Sequence, residues 1–380
     1  MSGRRSSRRT RLPRAPQPGA CAQCLSRAWL LARLSGHLDV VRNRVPELLE
    51  LGDDDLIAAV AGREQGAVHA DRAGFDPDGY RARCADAAVE VLCRCDPAYP
   101  AALWSLSAEP AVLHITGRTA RFLELVGRDT VAIVGSRTAS PYGLEMSRSL
   151  ARGVASAAVT VASGMALGID AAAHHGALDG GGSTIAVLAA APERAYPASN
   201  RSLHRRIVAA GAVVSELGPG VAMRRWMFPA RNRLIAALSA MTVVVAARDG
   251  SGAMLTAVEA TRIGRRLGAV PGPAMAPLSF GPHRLLRGGA DLVERPVDVL
   301  IALFGAGAGA GAAGKRDQGG RWAVAADEQP LFDAIADGLD PPAAFAAAGL
   351  ETGAGLATLA ALEMAGHLRR EPGGRFSIVR

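Results

Sequence analysis

The sequence predicts an α/β protein whose core is a doubly wound parallel sheet. Three apolar runs, at residues 131–137, 159–168 and 241–252, each end in a turn of small residues. Their strand portions are rich in Val, Ile and Ala without an apolar–polar alternation, which is typical of strands that are buried on both faces. Helical segments lie between the runs, as right-handed crossovers require. Ligands of such sheets gather at the carboxyl ends of the strands, where this sequence places its glycines, serines and arginines.

Length and composition indicate a globular protein with an anionic partner. A chain of 380 residues favours two or three domains, and 49% apolar residues can build a large interior. No apolar run reaches about 18 residues and no signal-peptide pattern is visible, so we expect a cytoplasmic protein without a membrane partner. The net charge of +8 favours nucleic acid, although Lys315 is the only lysine and the arginine bias also fits a genome-composition effect.

The first 95 residues are predicted to form a tail and a helical domain. Residues 1–20 carry six arginines and no acidic residue, which predicts a disordered basic tail. This tail either adds phosphate contacts or is a solvated extension. Apolar residues recur every three to four positions across 24–61, and a further helix is expected at 79–93. The resulting helical domain at 21–95 is equally compatible with nucleic-acid binding and with an accessory or dimerisation role.

Residues 96–304 are predicted to form the Rossmann-like core. A strand is expected at 112–117, directly after Pro110. We expect it at the edge of the sheet, because proline suits an edge position. Further helices are predicted at 142–157, 169–177, 197–210, 232–238 and 255–263, and further strands at 183–189, 212–215 and 267–270. Strands that alternate with helices of this length form a parallel, doubly wound sheet.

A linker and a second domain are predicted after the core. The Gly/Ala-rich stretch at 305–320 has no core-forming residue, which predicts a flexible linker. Residues 321–380 then show helices at 329–336 and 342–348, a third helix with three spaced leucines, and a hairpin at 368–378. This order is typical of a winged-helix domain. Such domains often bind DNA, but the third helix carries little positive charge, so protein docking is equally open.

Three turns at the sheet edge are candidates for phosphate binding. A phosphate needs unobstructed backbone N–H donors and a nearby cation. The residues that supply them are Gly135, Ser136, Arg137, Ser163, Gly164, Ser251 and Gly252. No G-x-G-x-x-G follows the first strand and no P-loop motif is present, so we expect no dinucleotide, no ATP hydrolysis and no other cofactor.

The stretch at 228–233 is the densest group of candidate binding residues. An exposed aromatic ring can stack on an unpaired base while neighbouring arginines hold phosphates, a combination suited to single strands. The candidates, with one arginine from just upstream, are Arg225, Phe228, Arg231, Asn232 and Arg233. The alternative is a helix N-terminus with Phe228 in the core.

Catalytic and metal-binding signals are weak. Asp170 and His174 lie four residues apart, but a packing histidine is a commoner explanation than an acid/base pair, so no catalytic residue is predicted. Five cysteines is an odd number, which argues against a disulfide framework. A zinc knuckle is conceivable, but the spacing fits no common zinc module, so we expect ordinary thiols and no metal. The cysteines concerned are Cys21, Cys24, Cys93 and Cys95.

Several dispersed motifs occur together in one order. They are Gly135-Ser-Arg137, Ser163-Gly164 with Gly168-Ile-Asp170, Tyr196-Pro197, Phe228-Pro-Ala-Arg-Asn-Arg233, Ser251-Gly252 and Ala269-Val-Pro-Gly272. In these motifs the sequence resembles the DNA-processing protein A family (DprA, also called Smf) over about residues 96–300. The resemblance implies a single-stranded-DNA-binding recombination mediator that acts as a homodimer. It also implies that the protein loads the RecA recombinase onto strands covered by single-strand-binding protein, including during natural transformation.

The resemblance also implies a binding site and shows two departures from the family. It places Gly135, Ser136, Arg137, Phe228, Arg231, Asn232 and Arg233 in the DNA pocket. Leu167 stands where the family usually has an arginine. His283 belongs to the segment Gly281-Pro-His-Arg284, which stands where the family usually has Gly-Cys-Asn-Arg. The alternative function is a nucleoside-monophosphate phosphoribohydrolase on a related fold. The glutamate that such an enzyme needs has no counterpart at 249–256.

Overall fold

The computed structural model describes residues 20–41, 45–305, 328–364, 367–370 and 376–378. The chain divides into two compact units, residues 1–309 and 310–380, which are described separately. Apart from Ala20 and Gly305, the predicted basic tail (1–20) and linker (305–320) lie outside the described residues.

The first unit is built on a nine-stranded sheet, which confirms the predicted α/β class. Its strands are β1 (Val89–Cys93), β2 (Val112–Thr116), β3 (Thr130–Gly135), β4 (Thr160–Ser163), β5 (Thr184–Leu188), β6 (Ala212–Ser215), β7 (Met241–Ala246), β8 (Arg266–Ala269) and β9 (Asp291–Leu292). The order is β1-β2-β6-β5-β4-β3-β7-β8-β9. Strands from β6 to β9 pair in parallel, whereas β1 and β2 are antiparallel to their neighbours.

The sheet is doubly wound around β3. The chain adds β4, β5 and β6 on one side of β3 and then crosses to its other side for β7, β8 and β9. Such a reversal opens a crevice at the carboxyl ends of the strands. The β3–β7 register shifts between Val134 and Gly135, so the end of β3 is irregular at the crevice, where Gly135 pairs with Ala246.

Fourteen α-helices of the first unit are described in residues 20–41 and 45–305. They are α1 (Ala22–Arg33), α2 (Ser35–Val40), α3 (Val45–Leu49), α4 (Asp53–Val60), α5 (Gln65–Ala73), α6 (Pro77–Asp86), α7 (Thr119–Val126), α8 (Pro141–Ser156), α9 (Ile169–Asp179), α10 (Arg201–Ala210), α11 (Met227–Ala237), α12 (Gly252–Arg262), α13 (Phe280–Arg287) and α14 (Pro296–Phe304). Most core elements begin and end within three residues of the prediction. The exceptions are α10, which begins four residues after the predicted start at 197, and α11, which begins five residues before the predicted start at 232. Helices α7, α13 and α14 and strand β9 have no counterpart among the predicted elements.

Two sequence predictions near the N-terminal boundary are wrong. The helix predicted at 79–93 ends at Asp86, and Val89–Cys93 forms strand β1 instead. Ala88, at φ +53°, turns the chain between them, and the following Val-Glu-Val-Leu segment has the β-branched content of a strand. Because β1 pairs with β2, the strand at Val112–Thr116 lies inside the sheet and not at its edge. Part of the predicted helical domain therefore belongs to the sheet.

The N-terminal helices pack against the segment that leads into α11. Their leucines form a buried cluster that includes Trp226 and Met227. Trp226 is fully buried, and its indole N–H donates to the carbonyl oxygen of Ser35 at 3.0 Å. Its backbone N–H donates to the Asp39 carboxylate at 3.2 Å. The N-terminal helices, which lie outside the sheet, thus hold the first turn of α11 in place.

The second unit has three described helices and a strand pair. The helices are α15 (Gln329–Ala336), α16 (Pro341–Ala347) and α17 (Thr352–Met364). Strands β10 (Leu368–Arg370) and β11 (Phe376–Ile378) pair antiparallel. Within the described ranges no single helix is long and apolar enough to cross a membrane, and α16 and α17 meet that test only as a pair bent by 106°.

Candidate nucleic-acid interface

The loop after β3 projects Arg137 from a rigid base. The backbone N–H of Ser136 donates to the carbonyl oxygen of Ala246 on β7 at 2.7 Å. The Ser136 hydroxyl accepts from the backbone N–H of Thr138 at 3.2 Å, so this hydroxyl closes the loop on itself. Arg137 follows with an exposed side chain. The loop therefore places a cation at the crevice.

The loop after β4 supplies one wall of the crevice. The Ser163 hydroxyl is buried and donates to the carbonyl oxygen of Ile133 at 2.7 Å, so it holds β4 against β3. A methyl group at Gly164 would lie 1.8 Å from Nη1 of Arg231, so only glycine leaves room for that guanidinium. Gly164 contributes to the crevice, whereas Ser163 supports it from inside the sheet.

The rest of the β4 loop has a strained backbone. Met165 has φ +54°, a left-handed conformation that is uncommon without glycine. The Asn200 side-chain amide donates to the carbonyl oxygen of Met165 at 3.0 Å and fixes this turn. Strain of this kind persists where the surroundings hold it, and it is concentrated at functional sites.

Arg231 is a buried cation at the back of the crevice. Its side chain is 7% exposed, and Nη1 donates to the carbonyl oxygen of Val187 at 2.5 Å. Burial lowers the pKa of Arg231 to about 10, with Asp170 acting in the opposite direction, so the guanidinium is charged at neutral pH. Burial likewise raises the pKa of Asp170, which the charge of Arg231 opposes.

A pocket forms where these loops meet the first turns of α11. Its lining residues are Arg137, Gly164, Ala166, Leu167, Leu188, Ala189, Tyr196, Pro197, Phe228 and Arg231. The Arg137 guanidinium lies over the Phe228 ring, 4.7 Å from its centroid. The Tyr196 ring lies 5.8 Å from Phe228 at an interplanar angle of 51°. The pocket thus combines two adjacent aromatic rings with one exposed and one buried cation.

Two predicted site residues on α11 point away from the pocket. Arg233 is 5% exposed, and its Nη2 lies 2.9 and 2.7 Å from the two carboxylate oxygens of Glu216. The Asn232 side-chain amide donates to the carbonyl oxygen of Gly252 at 3.0 Å and ties α11 to α12. Successive helical residues lie about 100° apart, so Arg231, Asn232 and Arg233 face three directions. Of the three, only Arg231 lines the pocket.

The remaining predicted residues do not line the pocket. Ser251 and Gly252 begin α12 at the same edge of the sheet, after β7. Arg225, like Arg224, is exposed on the turn that leads into α11. Neither these two arginines nor Arg137 forms a salt bridge with a carboxylate in the described part of the chain. The three arginines are exposed and carry positive charge that no described salt bridge neutralises.

The pocket's apolar wall and Tyr196 are not among the predicted site residues. Tyr196-Pro197 follows β5 at the carboxyl edge, and an exposed aromatic residue at that edge is the signal that could have identified it. Leu167, where the family usually has an arginine, is exposed in the lining. His283 lies 3.1 Å from the carbonyl oxygen of Gly272 and is absent from the lining.

Asp170 and His174 do not form a catalytic pair. His174 is fully buried, its Nδ1 lies 2.7 Å from the hydroxyl of Thr184, and burial lowers its pKa to about 3. The Asp170 carboxylate accepts from the backbone N–H of Gly164 at 3.2 Å. His174 is thus a packing histidine, and Asp170 supports the β4 loop. The described lining contains no carboxylate.

Comparison with known proteins gives consistent matches. The model of the family described as DNA recombination-mediator protein A matches residues 90–304. A DprA-type relative from Mycobacterium tuberculosis is 46% identical over 191 residues, 50% of this chain and 49% of the relative. The chain thus spans about half the length of that curated relative.

Two solved structures share the fold. The X-ray structure of DprA from Streptococcus pneumoniae matches with a TM-score of 0.60 and 31% identity, covering 73% of this chain and 95% of that chain. A Helicobacter pylori DprA structure, which concerns a unique single-stranded DNA binding mode, matches with a TM-score of 0.51 and 28% identity. It covers 57% of this chain and 95% of that chain.

Proposed function

Since the chain belongs to the DNA recombination-mediator protein A family, we propose that it binds single-stranded DNA in the pocket of Arg137, Phe228 and Arg231. The observation that carries the proposal is the exposed Arg137 guanidinium over the Phe228 ring, 4.7 Å from its centroid, with Tyr196 beside it. No described carboxylate neutralises this arginine. The cluster offers a cation and an aromatic surface to the same ligand.

The aromatic part favours an unpaired base as the ligand. Tyr196 is exposed and Phe228 is half-buried, so a flat group can reach their rings from the crevice. Bases inside a duplex are stacked on both faces, whereas a single strand offers each base to an aromatic partner. The apolar wall formed by Ala166, Leu167 and Leu188 suits the same flat, uncharged group.

The charged part favours the phosphates on either side of that base. Arg137 is exposed at the pocket and Arg231 holds a buried positive charge at its back, while Arg225 is exposed on the turn that leads into α11. A cation in a water-poor crevice attracts an anion more strongly than the same cation in bulk water. The related protein from Helicobacter pylori, whose structure concerns single-stranded DNA binding, supports the same ligand for this chain.

We propose binding without a catalytic step. Hydrolysis of a nucleoside monophosphate needs a carboxylate for acid/base chemistry at the ligand. Within the described residues the pocket lining has none, and Asp170 is turned toward the backbone of Gly164. The alternative phosphoribohydrolase function therefore gains no support from the pocket.

The proposed partners follow the family. We propose that the protein acts as a homodimer and loads the RecA recombinase onto DNA covered by single-strand-binding protein. A shorter lag in RecA ATPase activity on such DNA, when this protein is added, tests the loading step. The second unit has three helices followed by an antiparallel strand pair, the order that supports a winged-helix domain for docking to DNA or protein.

Arg137→Ala and Phe228→Ala should each weaken single-stranded DNA binding, but with different signatures. Loss of Arg137 should reduce the salt slope by about 0.7, because one phosphate contact is removed. Loss of Phe228 should cost about 1–3 kcal/mol in binding and leave the salt slope nearly unchanged. Because the guanidinium lies over the ring, the double variant should show a coupling of at least about 0.5 kcal/mol. Fluorescence anisotropy titrations at several salt concentrations measure all three quantities.

The matched control is Arg152→Ala. Arg152 is exposed near the end of α8, which runs from the carboxyl edge of the sheet back toward its amino edge. Its removal deletes the same charge far from the pocket and should leave the affinity unchanged. Thermal melts separate a binding defect from a packing defect at Phe228, whose truncation in a core would cost about 3–5 kcal/mol. Equal losses of DNA affinity from Arg137→Ala and Arg152→Ala would show that the pocket is not the DNA-binding site.

A further inference from the structure

Four of the five cysteines converge although their sequence spacing fits no common zinc module. Cys21 and Cys24 lie at the start of α1, whereas Cys93 ends β1 and Cys95 follows in the next turn. The four Sγ atoms all lie within 4.8 Å of one another. Cys24 and Cys93 belong to one buried cluster that joins α1 to β1 and β2, so residues about 70 positions apart in the chain meet there.

The separations fit a single tetrahedral ion. Zinc–sulfur bonds are about 2.3 Å long, so the sulfur atoms of a tetrahedral site lie about 3.8 Å apart. The Sγ atoms of Cys24 and Cys95 are 3.7 Å apart. A disulfide would require about 2.05 Å, and all five cysteines are free thiols in this structure. The four sulfurs are thus spaced for a metal and not for two bridges.

The surroundings suit bound thiolates. The backbone N–H of Cys21 points at Sγ of Cys93 at 3.5 Å, the kind of outer contact that orients a metal ligand. Arg94 lies beside Cys24 and is also paired with Glu109 at 2.8 Å, which places positive charge next to the cluster. Cys24 and Cys93 are 2% and 4% exposed, whereas Cys95 is exposed. Cys24 and Cys93 are thus shielded by the protein interior, whereas Cys95 gives an ion access to the cluster from solvent.

We propose that Cys21, Cys24, Cys93 and Cys95 bind one structural zinc ion. Four thiolate ligands complete the tetrahedron and leave no position for a substrate, which is the pattern of structural and not catalytic zinc sites. The ion joins α1 to β1, the outermost strand on that side of the sheet. It thereby fastens the N-terminal helices that hold Trp226 and the start of α11. The proposal does not depend on DNA binding.

Metal analysis of the purified full-length protein tests the site. We expect about one zinc per chain by mass spectrometry, and release of that zinc when a thiol-blocking reagent is added. Cobalt substitution should give the absorption of a tetrahedral cobalt–thiolate centre. Cys24→Ser and Cys93→Ser should each reduce the zinc content at least tenfold.

Cys84→Ala is the matched control, because Cys84 is equally buried in the same apolar cluster but lies outside the four-sulfur group. It should retain the full zinc content. If a serine variant fails to fold, the cobalt spectrum and zinc release of the unaltered protein decide the question. Protein without zinc but with two disulfides or four freely titrating thiols, or protein that holds iron instead, would overturn the proposal.

Discussion

Replacement of Arg231 by methionine should destabilise the fold by about 3–5 kcal/mol, the range for leaving a buried charge without its compensating opposite charge. Methionine has a similar length, so the loss is mainly one of charge and hydrogen bonding. The buried Asp170 carboxylate would lose the charge that opposes its desolvation, and the Val187 carbonyl would lose its donor. The affinity of the folded fraction for single-stranded DNA should fall as well, because the cation at the back of the pocket is gone.

The destabilisation should depend on pH with a defined sign. Burial raises the pKa of Asp170 above its unfolded value of about 3.9. Protonation of Asp170 therefore favours the folded state, and this contribution to stability is present below about pH 3.9 and is lost as the pH rises through the folded pKa. Without Arg231 the folded pKa rises further. Arg231→Met should therefore be less destabilised at about pH 5 than at about pH 8, and a second change, Asp170→Asn, should remove this difference. Denaturant unfolding at both pH values measures it.

Arg233→Met is the matched control on the same helix. Arg233 is as deeply buried as Arg231 but pairs with Glu216 outside the pocket. It should lower the free energy of unfolding by a comparable amount and leave the DNA affinity of the folded protein nearly unchanged. If Arg231→Met and Arg233→Met affect binding equally, Arg231 has no special role in the pocket.

Gly168→Ala should be strongly destabilising, with an expected loss of about 3–5 kcal/mol in stability. Gly168 has φ +77°, a conformation that is strained for alanine. The added methyl group would also lie 2.3 Å from the carbonyl oxygen of Ser136 and 2.8 Å from that of Arg137. Both obstacles are backbone atoms, so the loop that carries Arg137 has to move. Thermal melts and DNA titrations should both show the defect.

Gly181→Ala separates the two causes. Gly181 has φ +69°, but an added methyl group there would meet nothing within 4 Å. The Gly181→Ala variant should therefore lose only the stability that the strained backbone conformation costs, about 1–2 kcal/mol, and bind DNA normally. A similar loss for the two variants would mean that the contact between Gly168 and the Arg137 loop is unimportant.

The core of the fold could be predicted because its signals are local. Val131 to Gly135 is apolar throughout, as a strand buried on both faces requires, and Ala212–Ser215 has the predicted bounds. The candidate pocket was partly predictable for a related reason. Parallel strands bring their carboxyl ends together, so the order of strands and turns in the sequence is enough to predict that Arg137 and Gly164 lie near each other.

The remaining features depend on contacts that periodicity does not encode. The start of α11 at Met227 is set by packing of Trp226 against the N-terminal helices, and that start decides which way Arg231 and Arg233 point. The periodicity predicts helix where β1 lies, because the strand character of this segment depends on its pairing with β2. The four-cysteine cluster joins segments about 70 residues apart, a distance at which sequence spacing carries no ligand geometry.

A competition titration of the full-length protein with single-stranded and duplex DNA of the same length tests whether the pocket recognises unpaired bases. The protein is added to a fluorescently labelled single strand at near-physiological salt, and either unlabelled DNA is used to displace it. We expect the single strand to compete at least about tenfold better than the duplex, a difference of about 1.4 kcal/mol, because the Tyr196 and Phe228 rings reach only unpaired bases. Equal competition by the duplex would show that the protein recognises phosphates alone and would contradict the proposed pocket.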